Sequence, residues 1–248
     1  GLMWFASGME SQVTTLGGEG RLEILGHVGG IAPGERLWAS RFLDDRGFLI
    51  TFRNIDPLWT IDLSDPANPF IVGELEIEGV STYLHPIEGD HLLAVGRGGN
   101  AAGLDGSVQV SLFDVTDFGA PALADELTLL PPGTGDGWFH GTSEALHEHK
   151  AFQYWAPAKL LAVPLSAHRF GGGSPWGEVR STLELIRVDI ESGFSVHGSI
   201  DHSEFFAGVE NDHFYGSFDV RRSMFFGDHV YAISNRAVSA HRIDDLVM

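Results

Sequence analysis

Between Trp38 and Glu78 the chain reads WASRFLDDRGFLITFRNIDPLWTIDLSDPANPFIVGELEIE. Its apolar residues recur with a period of two through Trp38–Leu43, Gly47–Phe52, Leu58–Leu63 and Phe70–Ile77, which is the alternation of a strand rather than of a helix. Gly, Pro, Asp and Asn separate the runs, as turns require. In DLSDPANP the Asp and Ser side chains can cap the turn backbone, while Pro66 and Pro69 fix φ and end pairing. Asp62 and Asp65 are therefore assigned to turn structure before chemistry. The stretch predicts four short antiparallel strands.

The same pattern recurs along the chain. STYLHPIEGDHLLAVG from Ser81, SEALHEHKAFQYW from Ser143 and VRRSMFFGDHVYAIS from Val220 align with WASRFLDDRGFLITF from Trp38. Each opens on small or polar residues, turns apolar, crosses a tight turn and enters a second apolar strand. A further strand ending in acid follows each, marked by Asp62, Asp114, Asp189 and Asp244 at spacings of 52, 75 and 55 residues. A fourth strand follows in three cases, at Phe70–Glu78, Ala122–Leu130 and Phe194–Asp201. Four antiparallel strands per repeat of this length is the blade unit of a β-propeller. The expected fold is an all-β propeller with about four blade equivalents, as part of a larger ring or alone. Its divisions are a partial blade or closing strands over 1–33, blades over 34–79 and 80–132, a blade with loop insertions over 133–202, and a three-stranded last blade over 203–248. The loop Pro131–Gly141 and the Gly-rich insertion Ala167–Arg180 fill the longest interval.

Composition supports a packed β domain. The 248 residues are 43% hydrophobic and 20% charged, which excludes a disordered or fibrous chain. No run approaches the length of a membrane-spanning helix, so membrane insertion is not expected. The absence of Cys removes disulfides, thiolate nucleophiles and Cys-ligated zinc. With 34 acids against 15 bases the formal charge is −19, a surface that repels nucleic acid and anionic lipid and attracts cations. Of the bases only Lys150 and Lys159 are lysines. That bias suits a salty or extracellular setting, and a GC-rich genome produces it too. The opening GLMWF carries no signal-peptide pattern.

The ends of the repeat array are uneven. Gln12–Leu16 and Arg21–Val28 read as the third and fourth strands of a blade, and the last repeat has three strands. Arg21–Val28 can close the last blade as its outer strand. The alternative is a partial ring completed by an upstream propeller half or by a second copy of the chain.

ITFRNIDPLWTIDLSDPANPFIVGELEIEGVSTYLHP, SEALHEHKAF and VRRSMFFGD resemble the C-terminal part of the secreted bacterial and archaeal β-propeller-domain family. The resemblance covers nearly the whole chain from about Arg21 onward. It implies a secreted or cell-surface propeller with no assigned reaction, and it supplies no catalytic residues.

Several groups can carry chemistry. First-strand positions hold Arg41, Thr82 with Tyr83, Glu144 and Arg222, candidates for lining a central channel. Two guanidinium forks with Glu144 between them can hold an anionic group; equally, Glu144 can neutralise Arg41 and Arg222 in a network that fixes packing. His147 and His149 are two apart, so a regular strand would aim both at one face as metal ligands. His85, His140, His202 and His213 are further imidazoles, with Glu144 or Asp212 as oxygen donors. Calcium is the cofactor to test, through Gly133–Gly137 or Glu210–Asp212, although no EF-hand loop pattern is present. GRGGNA at 96–101 imitates a dinucleotide fingerprint, but a strand follows it rather than a helix, so it reads as a hairpin loop. Ser143 lies in GTSEA, which lacks the final Gly of a nucleophile elbow. Trp138 and Trp176 lie in Gly- and Pro-rich loops, where aromatic rings either contact a protein or glycan or fold back onto the propeller face.

The expected function is a non-catalytic extracytoplasmic binding or scaffold module that contacts a protein or glycan through its loop face. The alternative is a hydrolase or lyase at the channel mouth using Glu144, His147 and His149 with Arg41 or Arg222. Fold alone does not choose between them.

Overall fold

The period-two runs fold as antiparallel strands in a computed structural model that describes residues 10–52, 56–100, 103–129, 139–169, 178–206 and 219–248. A two-stranded sheet pairs β1 (Ser11–Gly17) with β2 (Glu23–Ile31). Next comes a four-stranded sheet of β3 (Arg36–Leu43), β4 (Arg46–Phe52), β5 (Asp56–Asp62) and β6 (Phe70–Ile77), in sequential order. A second four-stranded sheet holds β7 (Val80–Ile87), β8 (His91–Asn100), β9 (Gly103–Asp114) and β10 (Ala122–Leu129), also in sequence. A five-stranded sheet follows, built from β11 (Phe139–Thr142), β12 (Gln153–Trp155), β13 (Leu160–Arg169), β14 (Glu178–Asp189) and β15 (Gly193–Asp201). The last sheet orders β16 (Val220–Phe226), β17 (His229–Ser234) and β18 (Val238–Arg242). No α-helix occurs among the described residues. The segment Arg21–Val28 falls mostly in β2, which pairs with β1.

The chain divides into two compact units. The first holds the described residues up to Ala94 with Gly99–Leu104 and Leu112–Ala124; the second holds Val95–Gly98, Asp105–Ser111 and the described residues from Asp125 onward. In the first unit β4 is buried on both faces, which is why its run is apolar without interruption. Phe48 and Ile50 join Leu58, Leu84, Leu92 and Phe113 in one cluster. Leu49, on the other face, packs with Val13, Ile31 and Ile61. In the second unit Leu160, Leu183, Leu185, Ile200, Val220 and Val230 form the core between the five-stranded sheet and the last one.

Two devices repeat from sheet to sheet. The first closes each inner hairpin onto the third strand. Leu63 N–H donates to the Asp45 carbonyl at 2.7 Å, Val115 to Asp90 at 2.9 Å, Val188 to Lys159 at 2.9 Å and Ile243 to Asp228 at 2.8 Å. The second ends each third strand in a side-chain-capped turn. Asp62 accepts from Ser64 N–H at 2.7 Å, Asp114 from Thr116 at 2.9 Å and Asp189 from Glu191 at 3.0 Å. Such local bonds satisfy the turn backbone where pairing stops. In the last sheet the capping acid is Asp245, which takes Val247 N–H at 3.1 Å, one residue past Asp244, the acid that marks this repeat in the sequence.

These turns also seat on the outer strand of the preceding sheet within each unit. A Cβ on Gly26 of β2 would stand 2.4 Å from the Pro66 carbonyl oxygen, and one on Gly73 of β6 2.7 Å from that of Gly119. In the second unit Asp125 of β10 accepts the Phe194 N–H at 2.6 Å, and Gly198 of β15 lies under Leu246. The four positions align in ILGHV, IVGEL, LADEL and VHGSI. Three are Gly because the neighbouring turn leaves no room for a side chain. The fourth, Asp125, reaches into its neighbour and binds it.

Two local expectations are corrected. SEALHEHKAFQYW does not form a strand, a turn and a second strand: Glu144–Leu146 and His149–Ala151 are 3-10 turns, and only β12 is extended. Ser143 and Glu148 cause this by accepting the Ala145 and Lys150 N–H groups with their own side chains, which competes with strand pairing. β11 and β12 then share one edge of β13, against its far and near ends. The second correction concerns GRGGNA, whose residues through Asn100 extend β8 rather than forming a loop.

Candidate functional site

The excursion between β11 and β12 carries most of the expected chemistry, and it is tied to β16. Glu144 Oε1 accepts from Arg221 Nη2 at 2.7 Å and lies 3.5 Å from Arg222 Nη1; Glu148 Oε2 lies 3.5 Å from Arg222 Nη2. Stacking of Trp155 on Phe225, with centroids 6.0 Å apart, adds an apolar contact on the same side. Regular alternation would send Arg221 and Arg222 to opposite faces of β16. The register slips between Val220 and Arg222, and this bulge re-aims the side chains so that both guanidinium groups meet Glu144. Arg221 was missed in the sequence for that reason. Hydrogen bonding to Glu144 raises the Arg221 pKa further, and the Lys150 N–H, then Arg222, hold Glu148 below the usual carboxylate range. The Glu144 side chain is 23% exposed, so water screens the cluster. It serves to tether the excursion, with both acids engaged by arginine.

His147 and His149 lie on these 3-10 turns, both exposed. Since neither is in a strand, alternation does not place them on a common ligating face. Among the described residues no group of three or more His, Asp or Glu gathers in a metal-holding arrangement. His202 is buried and shares Ser239 Oγ with His241, at 2.8 and 2.9 Å. Burial, then the neighbouring His241, lowers the His202 pKa against a weaker upward pull from Asp201. His213, Asp212, the Gly133–Gly137 and Glu210–Asp212 calcium candidates, Trp138 and Trp176 lie outside the described residues, as does the His140 side chain.

In the first unit Arg41 on β3 and Thr82 and Tyr83 on β7 are each partly buried. Tyr83 and His85 project from the same side of β7, and the Tyr83 hydroxyl lies 3.2 Å from His85 Nδ1. Burial raises the Tyr83 pKa, with Arg41 opposing; burial and then Arg41 lower that of His85. The pair is thus held neutral beside a fixed positive charge, a setting that donates and accepts hydrogen bonds without moving a proton at neutral pH. His85 is a partner of Tyr83 here rather than a member of a His cluster. A residue two positions along the strand from Tyr83 was legible as its same-face neighbour.

Two curated proteins similar to this chain are archaeal. An uncharacterized protein of Methanocaldococcus jannaschii is 34% identical over 149 residues, which is 60% of this chain and 22% of that protein. One of Archaeoglobus fulgidus is 42% identical over 132 residues, 53% of this chain and 19% of that protein. The chain thus spans about a fifth of the length of the curated relatives it matches. Among solved structures it is similar to the β-propeller domain of Vanderwaltozyma polyspora Nup133, at 11% identity and a TM-score of 0.45, over 93% of this chain and 66% of that one. The family model described as a beta propeller domain matches residues 3–246. With sequential antiparallel sheets of about four strands beneath that match, the chain belongs to the beta propeller domain family.

Proposed function

We propose that this chain is a non-catalytic, extracytoplasmic scaffold and binding segment of a propeller, and that its binding partner is a polypeptide that adds strands to its open sheet edges. One observation carries the reading: among the described residues the first sheet has two strands and the last has three, against four or five elsewhere. Among the described residues β18 pairs with β17 alone, which leaves its other row of backbone groups without a strand partner there. Among the described residues β1 and β2 likewise pair only with each other. Large apolar residues stand exposed on these elements: Leu16 at 54%, Ile24 at 71% and Val238 at 65%. An open edge of this kind is a template for strand addition. The −19 charge supports an extracytoplasmic setting and disfavours nucleic acid. The engagement of Glu144 and Glu148 by arginine draws support away from the hydrolase or lyase alternative.

The test is light scattering after gel filtration, with and without calcium, joined to backbone hydrogen exchange. The reading expects either a mass above that of a 26.9 kDa monomer, or a monomer whose β18 amides exchange freely. A monomer with β18 amides protected overturns it, because the edge would then be covered within the chain.

A further inference from the structure

Strand β14 is buried on both faces, and its alternation explains all but one of its central residues. Leu183 and Leu185 enter the core of the second unit. Glu184 and Ile186 point the other way, into a space they share with residues of β10 and β15. A carboxylate in the middle of a buried strand is out of place on packing grounds. Glu184 is only 6% exposed. Thr182 Oγ1 donates to its Oε1 at 2.6 Å, and Ser199 Oγ, cross-strand from it, donates to the same oxygen at 2.9 Å. Among the described residues Oε2 has no partner.

Glu184 also lines a cavity of about 330 Å³ whose walls include Leu127, Leu129, Ile186, Val196 and Ser199. That volume lies within the range of small-molecule sites, which pair apolar walls with a few fixed polar groups. The wall chemistry sets the ligand. The apolar side chains call for an aliphatic body. The carboxylate, with one oxygen saturated by hydroxyls and the other open, calls for a donor. A positively charged donor is favoured because it also neutralises a charge that burial makes costly. A ligand carboxylate would meet like charge. The acidic surface of the chain, at −19, concentrates cations near the mouth.

We propose that the Glu184 cavity binds a small molecule with an ammonium head on an aliphatic body. A cavity of about 150 Å³ accepts a benzene-sized molecule, so one of roughly twice that volume admits a pentyl chain with its head group. The site is distinct from the edges proposed for strand addition, since β10, β14 and β15 line it and β1, β2 and β18 do not.

The experiment titrates n-pentylammonium, 1-pentanol and pentanoate into the whole chain and follows amide shifts by NMR. Saturable binding of n-pentylammonium is expected, at least tenfold tighter than 1-pentanol, with the shifts centred on residues 127–129, 184–186 and 196–199. Pentanoate should not bind. Glu184→Gln keeps the shape and both hydroxyl contacts, and it should abolish the preference for ammonium while leaving 1-pentanol unchanged. Val196→Lys, at the exposed rim, supplies a competing ammonium without touching the core and should weaken n-pentylammonium as well. Absence of saturable binding, equal affinity for ammonium and alcohol, or an unchanged affinity in both variants overturns the proposal.

Discussion

Two charged residues sit where simple alternation does not put them, and each exposes a different balance of forces. Arg221 reaches Glu144 through a strand bulge, and its ion pair is half open to water, with the Arg221 side chain 45% exposed. A pair of that kind contributes little, so Arg221→Ala should cost about 0.5–1 kcal/mol in chemical denaturation. The difference should fade in about 1 M salt, where screening is nearly complete; a salt-independent loss would mean that packing, not charge, holds the excursion. Glu184 presents the opposite case. Burial raises its pKa, against the hydroxyls of Thr182 and Ser199, which stabilise the ionised form, and with Asp201 adding to the rise. The unfolded carboxyl loses its proton near 4.5, whereas the folded one holds it to higher pH. Native stability at this site therefore falls as pH rises above that point, and below it there is no penalty. Glu184→Gln should raise the melting temperature relative to the native chain more at pH 8 than at pH 4. An equal difference at both would show that Glu184 is not desolvated.

At the scale of elements, the repeated seat of each turn on the preceding outer strand is the contact that joins sheet to sheet within a unit. It is sterically asymmetric. A methyl group on Gly73 meets the Gly119 carbonyl at 2.7 Å and Thr60 Oγ1 at 2.9 Å, whereas one on Gly119 meets nothing nearer than 3.5 Å. Thr60 and the turn cannot both retreat, since Thr60 Oγ1 donates to the Phe118 carbonyl at 2.7 Å. Gly73→Ala should cost about 1–3 kcal/mol, the range for forcing an extra carbon into a packed site. Gly119→Ala should stay within about 0.5 kcal/mol, as for an unremarkable surface change. Urea midpoints of the two variants compare them directly. Equal losses would mean that the turn does not seat on β6 in this way.

For the whole molecule, the decisive quantity is how many strands each sheet can recruit. Sheets of four or five strands bury their inner members on both sides, but among the described residues the three-stranded sheet leaves β18 paired with β17 alone. Exposed Val238 on that strand does nothing to discourage pairing, and a Lys there is the usual deterrent. If the chain associates through this edge, Val238→Lys should lower its assembled fraction in light scattering without changing its melting temperature. Unchanged association would place the contact elsewhere.

Sequence alone determined the all-β class and most of the strands, because a period of two, punctuated by Gly, Pro and Asp, is a local property that survives wherever the strand ends up. It also identified Asp62 and Asp65 as turn residues, since the bonds they make reach only two or three residues along the chain. The meaning of Gly26, Gly73, Asp125 and Gly198 depended on turns tens of residues away along the chain. Tertiary structure decided the rest. Whether SEALHEHKAF would extend or coil turned on Ser143 and Glu148 capping their own neighbours and on arginines some seventy residues later in the sequence, the Glu144–Arg221 pair being 77 apart. Which residues share a face of β16 depended on a one-residue bulge that leaves no mark in composition. The burial of Glu184 was likewise invisible, because a charged residue in a strand reads as solvent-facing until a second sheet is packed against it.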